Sequence, residues 1–162
     1  MASDDVLLMF CLMKFDELTQ LVVGLDDELA NTAPDVPEAN SPVAILVHCC
    51  GMMRRWSGSV NPGLALPRDR EAEFTARLAV TDAAMLARET RSTFADDIQN
   101  TEMDLAPVAV PPSWEAFWTA TCRGVLFHVF EELCQHLGQA EITRDLLTAS
   151  NTHWHGTATD AY

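Results

Sequence analysis

Between Asp5 and Asn31 apolar residues recur at Leu7, Phe10, Phe15, Leu18, Leu21, Val22, Leu25 and Leu29, steps that keep returning to one side of an α-helix. This predicts a first helix over 5–31. The run "NTAPDVPEANS" breaks it with two prolines and turn formers, and Ser41 before Pro42 reads as an N-cap followed by proline at the first helical position. A second helix then runs through "PVAILVHCCGMMRRWSG". Its first half is apolar nearly all round, so that half is expected to be buried against several neighbours, with His48 inside it.

After the loop "SVNPGLALP", the stretch 68–100 resumes a helical period through Phe74, Leu78, Val80, Met85, Leu86 and Phe94. That is the third helix. Three prolines in "TEMDLAPVAVPPS" mark a connection, with an extended piece that crosses the end of a bundle. Ser113 caps a fourth helix over 114–150, bent near Gly124, with Phe117, Val125, Phe130, Leu133 and Leu146 or their neighbours facing the core. Four helical patterns, with no alternating strand and no internal repeat, predict an all-α four-helix bundle as one domain, residues 1–150, followed by a polar tail, 151–162.

Composition narrows the partners. Twenty-four acidic residues against ten basic ones leave a charge of −14, which repels a phosphate backbone and an anionic membrane surface alike, so neither nucleic acid nor membrane is expected as a partner. The acidic start and the helical pattern that follows argue against a signal peptide. Five cysteines, an odd number without a compact framework, fit a reducing cytoplasm. The adjacent Cys49 and Cys50 read as small buried residues more readily than as a redox pair.

Candidate chemistry concentrates in "FHVFEELCQHLGQAEITRD". Four-residue steps advance about 40° beyond a full turn, so His128, Glu132 and His136 share one face of the fourth helix, whereas Glu131 lies about 100° away from Glu132. Glu132 and His136 offer a carboxylate and an imidazole from consecutive turns, as a divalent metal requires. His48 is the natural third ligand, because a buried imidazole must find a hydrogen bond or a metal. The same residues also fit a satisfied core histidine and two solvated side chains. The E-x-x-x-H pair alone does not separate these readings. In the tail, His153, Trp154 and His155 form an H-x-H expected to be disordered.

The segments "SPVAILVHCCGMMRRWSG", "RDREAEF" and "HVFEELCQHLGQAEITRDLL" give the chain, from about Phe10 to Leu147, a pattern that resembles the DinB-like metal-binding bundles. In particular it is similar to the branch related to the mycothiol-dependent maleylpyruvate isomerase N-terminal domain and the bacterial low-molecular-weight-thiol S-transferases. The resemblance implies a DinB-like four-helix bundle with a long crossover connection, and one divalent metal held by His48, Glu132 and His136. Zinc suits that donor set, and nickel, iron or manganese also fit it. It implies a low-molecular-weight thiol, mycothiol in this branch, as co-substrate with a small electrophile. His128 is then a neighbour of the ligands or of the substrate. Gln139 and Arg144 continue the same face, Arg144 as partner of a carboxylate or as a plain surface residue. The implied activity is S-transfer; the chain's end soon after the fourth helix leaves no room for the isomerase's additional domain. A maleylpyruvate isomerase-like enzyme, a non-catalytic metal-binding stress or sequestering protein, dimeric in one version, and a metal-free helical interaction module stand as alternatives.

Overall fold

The computed structural model describes residues 3–114 and 116–154. Its helices are α1 (Ser3–Val23), α2 (Asp27–Ala30), α3 (Pro42–Arg54), α4 (Arg70–Phe74), α5 (Val80–Gln99) and α6 (Cys122–Trp154), and there is no strand among the described residues. The four long helices form the bundle. α1 packs on α6 and α5, and α3 packs on the same two, so α5 and α6 face each other across the diagonal. The segment 100–121 is therefore the crossover connection. None of the helices is long and apolar enough to cross a membrane, among the described residues.

Each core face follows a helical stripe. On α1 it is Leu7, Leu8, Cys11, Phe15, Leu18 and Val22; Phe10, expected inward, is 46% exposed because it sits about 100° off that stripe and meets Phe130 at the rim. On α5 the buried positions are Ala83, Ala87, Thr90, Phe94 and Ile98, while Met85, also expected inward, is turned to solvent. The small alanines let α5 lie close to its neighbours, and the large apolar residue was the misleading signal. On α6 the inward positions are Val125, Leu126, Val129, Leu133, Leu137, Ala140 and Leu147, with Leu146 largely exposed beside them.

Element boundaries depart from the periodicity where capping intervenes. Ser41 caps α3 as its sequence predicts, its hydroxyl accepting from the Ala44 N–H at 3.2 Å with Pro42 at the first position. The first predicted helix instead breaks after Val23, and Asp26 caps α2 through the Leu29 N–H. The third is split by residues 75–79. Asn31 holds that break from across the fold, exchanging hydrogen bonds with the Leu78 backbone at 2.8 and 3.0 Å, and Asp27 accepts from the Val80 N–H where α5 has no cap of its own. The fourth helix begins at Cys122 rather than Trp114. Two 3₁₀ turns, Pro112–Trp114 and Phe117–Ala120, precede it, Thr121 accepts from the Gly124 N–H, and Phe117 is 92% exposed, not in the core.

Val108 and Ala109 donate backbone hydrogen bonds to Asn61 and Val60, so the crossover lies as an extended strap on the end of α3. At the other end α6 continues as helix to Trp154, four residues into the expected tail. The side chains of 150–154 and all of 155–162, with the His153/His155 pair, lie outside the described residues.

Burial settles the cysteines' chemistry. Cys49 and Cys50 are 0% and 3% exposed, and desolvation pushes the Cys50 thiol to about 12 and that of Cys49 well above its ordinary range. Cys11 is pushed to about 12 for the same reason. Native protein treated with iodoacetamide at neutral pH is expected to take one label, at the exposed Cys134. Labelling of Cys49 or Cys50 at a comparable rate would refute this.

Arg123 ties the start of α6 to Asp4 of α1 at 2.6 and 2.9 Å and also pairs with Asp104 of the crossover. The Arg123 hydrogen bond holds Asp4 below the usual carboxylate range. A depressed carboxylate stabilises the folded state above its unfolded pKa and stops doing so as pH falls through the folded one. Arg123→Gln is thus expected to lower Tm at pH 7, with the gap to wild type closing below about pH 4. A gap that persists unchanged at pH 2 would contradict the assignment.

Candidate metal centre

His48, Glu132 and His136 come together, each able to place one ligand atom within 4.8 Å of the others. His48 is supplied by α3 and is 4% exposed; the other two come from consecutive turns of α6. The His48 and His136 rings meet edge to face with centroids 4.7 Å apart, and His136 Nε2 lies 3.7 Å from Glu132 Oε2.

The far side of each imidazole is committed. His48 Nδ1 is 2.9 Å from Glu73 Oε2; a carboxylate only accepts, so Nδ1 carries the proton and Nε2 keeps its lone pair. His136 Nδ1 is 3.1 Å from Gln139 Oε1, an acceptor too, which frees Nε2 on the side of Glu132. Such outer partners fix the tautomer and ring orientation that a metal ligand needs. The cluster's donor set, two neutral imidazoles and a carboxylate, fits a divalent cation.

The carboxylates are held ionised. Burial raises the pKa of Glu73, but the Arg68 hydrogen bonds at 2.6 and 2.7 Å, with those of His48, outweigh it and keep the group below its ordinary range. Glu132 is likewise kept below its ordinary range against burial, by its neighbour His136 first and then by His128 and His48.

Two glycines make the geometry feasible. A Cβ on Gly51, one turn beyond His48, would lie 1.9 Å from Glu73 Oε1, so only glycine lets that carboxylate reach the histidine. A Cβ on Gly124 would lie 2.1 Å from the Trp118 carbonyl oxygen, so only glycine lets the second 3₁₀ turn fold back on α6. Trp118 then stacks on His128 with ring centroids 3.9 Å apart.

From Arg55 to Val60 α3 widens into a π-helical turn, closed by the Asn61 N–H on the Trp56 carbonyl. Trp56 packs edge-on against Trp114, Trp118 and His128. A cleft of about 250 Å³ opens here, lined by His48 and Glu132, by Arg55, Arg68 and Arg70, and by Met52, Trp56, Trp114 and His128.

His128 is thus a wall of the cleft, outside the three-ligand cluster, with Nδ1 3.4 Å from Glu131 Oε2. Glu131 itself points outward, 62% exposed, as its phase on the helix requires. The structure does not bring Arg144 to the site: it pairs with Asp145 at 2.8 Å and lies eight residues, or about 12 Å, along the helix from His136. Sequence reasoning missed Glu73 as the partner of His48 and Arg68 as the partner of Glu73. The segment "RDREAEF" contains both, but nothing local marks a carboxylate as the partner of a histidine 25 residues earlier.

Fold and site together define an all-α bundle with an open His/Glu/His cluster suited to a divalent cation. A family model of the Mycothiol-S-transferases matches residues 6–149, and the chain belongs to that family, which is DinB-like. No curated protein and no solved structure matches it.

Gly51→Ala is expected to displace Glu73 and, like Glu73→Ala, to weaken zinc binding by about 10- to 100-fold in a chelator-competition titration. The helical circular dichroism of Gly51→Ala should stay at the wild-type level. Unchanged zinc affinity in both variants would remove Glu73 from the site.

Proposed function

We propose that this chain is a divalent-metal-dependent S-transferase that conjugates mycothiol to an electrophilic carbon. The observation that carries the reading is the convergence of His48, Glu132 and His136 beside an open cleft that the first two line, with the second nitrogen of each imidazole already committed to Glu73 or Gln139. Three protein ligands leave positions free, as in a catalytic rather than a closed structural site. A divalent cation held there supplies the positive charge that favours a thiolate over a thiol near neutral pH. Zinc suits the donors; nickel, iron and manganese share them.

The chain's own residues do the rest. Glu132 offsets the cation's charge and, with the two imidazoles, fixes its place at the foot of the cleft. Met52, Trp56 and Trp114 offer an apolar wall for the electrophile and shed water from the reacting sulfur. His128 is the titratable group of that wall and contacts the substrates. The thiol gives up its proton, its sulfur forms the new C–S bond, and the leaving group departs with its bonding pair.

Elemental analysis of tag-free protein is expected to find about one ion per chain, and none in His48→Ala or Glu132→Ala. Turnover of an electrophile should then require both mycothiol and the ion and fall to the uncatalysed rate in the same variants. No stoichiometric ion after reconstitution with zinc, nickel, iron and manganese would sink the proposal. A bound ion without thiol-dependent turnover would leave a sequestering protein in its place.

A further inference from the structure

Positive charge is scarce in this chain, and most of it is neutralised. Of its ten basic side chains, six sit in ion pairs: Lys14 with Glu17, Arg54 with Asp97, Arg68 with Glu73, Arg91 with Asp16, Arg123 with Asp4, and Arg144 with Asp145. Four arginines have no carboxylate partner among the described residues: Arg55, Arg70, Arg77 and Arg88. Arg70, Arg77 and Arg88 are exposed and Arg55 is half-buried. Of the four, Arg55 and Arg70 line the cleft beside His48 and Glu132.

Arg55 is half-buried in the first position of the π-helical turn, next to Trp56. Arg70 lies over the Phe74 ring at 5.0 Å, and Phe74 in turn stacks on His48 at 4.4 Å. In a protein with twenty-four acidic residues, leaving a half-buried guanidinium unpaired beside a cleft is costly unless a ligand supplies the anion. The neighbouring Arg68 is spent on Glu73, through both carboxylate oxygens. The same cleft is lined by the indoles of Trp56 and Trp114, which suit a flat apolar body.

We propose that Arg55 and Arg70 form an anion-binding rim, and that the second substrate is a carboxylate-bearing electrophile whose flat body lies on the tryptophan wall. The identity of that ligand as an electrophile rests on the S-transferase reading; the anion rim itself does not. A guanidinium fork matches a carboxylate's two oxygens, so the rim orients the substrate with its reactive carbon toward the foot of the cleft. Glu132, in the same cleft, opposes the anion and keeps it at the rim rather than at the ligand cluster.

Binding is tested without metal, so that a carboxylate cannot be captured by the cation. Metal-free full-length protein is titrated with 3-nitrobenzoate and with neutral 3-nitrobenzamide, followed by quenching of tryptophan emission. Wild type is expected to bind the benzoate about tenfold or more tightly than the amide, the range of one or two charge-assisted contacts. Arg55→Gln and Arg70→Gln each reduce that preference and the double variant abolishes it, with amide binding unchanged. Arg55→Lys keeps part of it, and Arg77→Gln and Arg88→Gln keep all of it. Circular dichroism melts confirm that each variant is folded.

Equal or undetectable binding of the two probes by wild type, or a preference that survives in the double variant, overturns the proposal. A second arm uses the zinc-loaded enzyme with mycothiol and 4-chloro-3-nitrobenzoate or its amide. There the C–S bond forms, chloride leaves with the C–Cl bonding pair, and the thiol proton passes to buffer. With rates divided by those of the uncatalysed reactions, wild type should favour the carboxylate in kcat/KM, and Arg55→Gln should raise KM for the carboxylate alone. Loss of turnover with both substrates while the metal-free preference stands would refute the S-transferase reading and leave the anion rim in place.

Discussion

The hydrogen bond from His48 Nδ1 to Glu73 is the contact on which the site depends. An imidazole in the apolar half of α3 has no water to satisfy its N–H, and leaving such a donor unpaired costs about 1–3 kcal/mol. Glu73 removes that cost but is itself 7% exposed, and a buried carboxylate needs its own compensation, which the Arg68 fork supplies. The three groups are joined in sequence, Arg68 to Glu73 and Glu73 to His48 of the cluster. Gly51 leaves room for this series, since any side chain there would occupy the carboxylate's position. The His48–Glu73 contact thus rests on a residue with no side chain at all.

Much of the fold was legible because it depends on local rules. Ser41–Pro42 announced a helix start and delivered one, and the helical stripes gave the four long elements. The set His48, Glu132 and His136 was legible for a related reason: two members are one turn apart on a single helix, and the third is conspicuous as a polar ring in an apolar run. What failed to show were effects imposed from a distance. Asn31 and Asp27 fix the break before α5 from another part of the chain, and Glu73 reaches His48 across 25 residues. The early start given to the fourth helix at Trp114, with Phe117 on its core face, departs from the structure because a 3₁₀ turn with an aromatic pair reads like the first turn of an α-helix.

The aromatic wall shows how an irregular backbone serves the site. A continuous α-helix through 55–60 would advance Trp56 and its successors by regular steps, whereas the π turn inserts a residue's worth of slack. On the other side the crossover carries Trp114 and Trp118 to meet Trp56, with Gly124 permitting the close approach to α6. Both departures from helical regularity lie beside the ligand cluster. The remainder of the bundle, well packed around Phe15, Leu18, Phe94, Leu126 and Leu133, is regular. Rigid helices therefore set the ligands, and the irregular segments between them shape what can approach.

That division of labour bears on what kind of site this is. A purely structural centre is closed by a fourth protein ligand and has no use for an adjoining cavity. Here the additional imidazole among the described residues, His128, is stacked on Trp118 and forms part of a cavity wall. The helix that could have offered a four-residue ladder of three ligands gives two to the cluster and one to the wall. The difference goes with packing, since the crossover delivers Trp118 and its ring stacks on that of His128. The proposed second molecule would meet, beside the cluster, a cleft lined with indole and guanidinium groups in place of a fourth ligand.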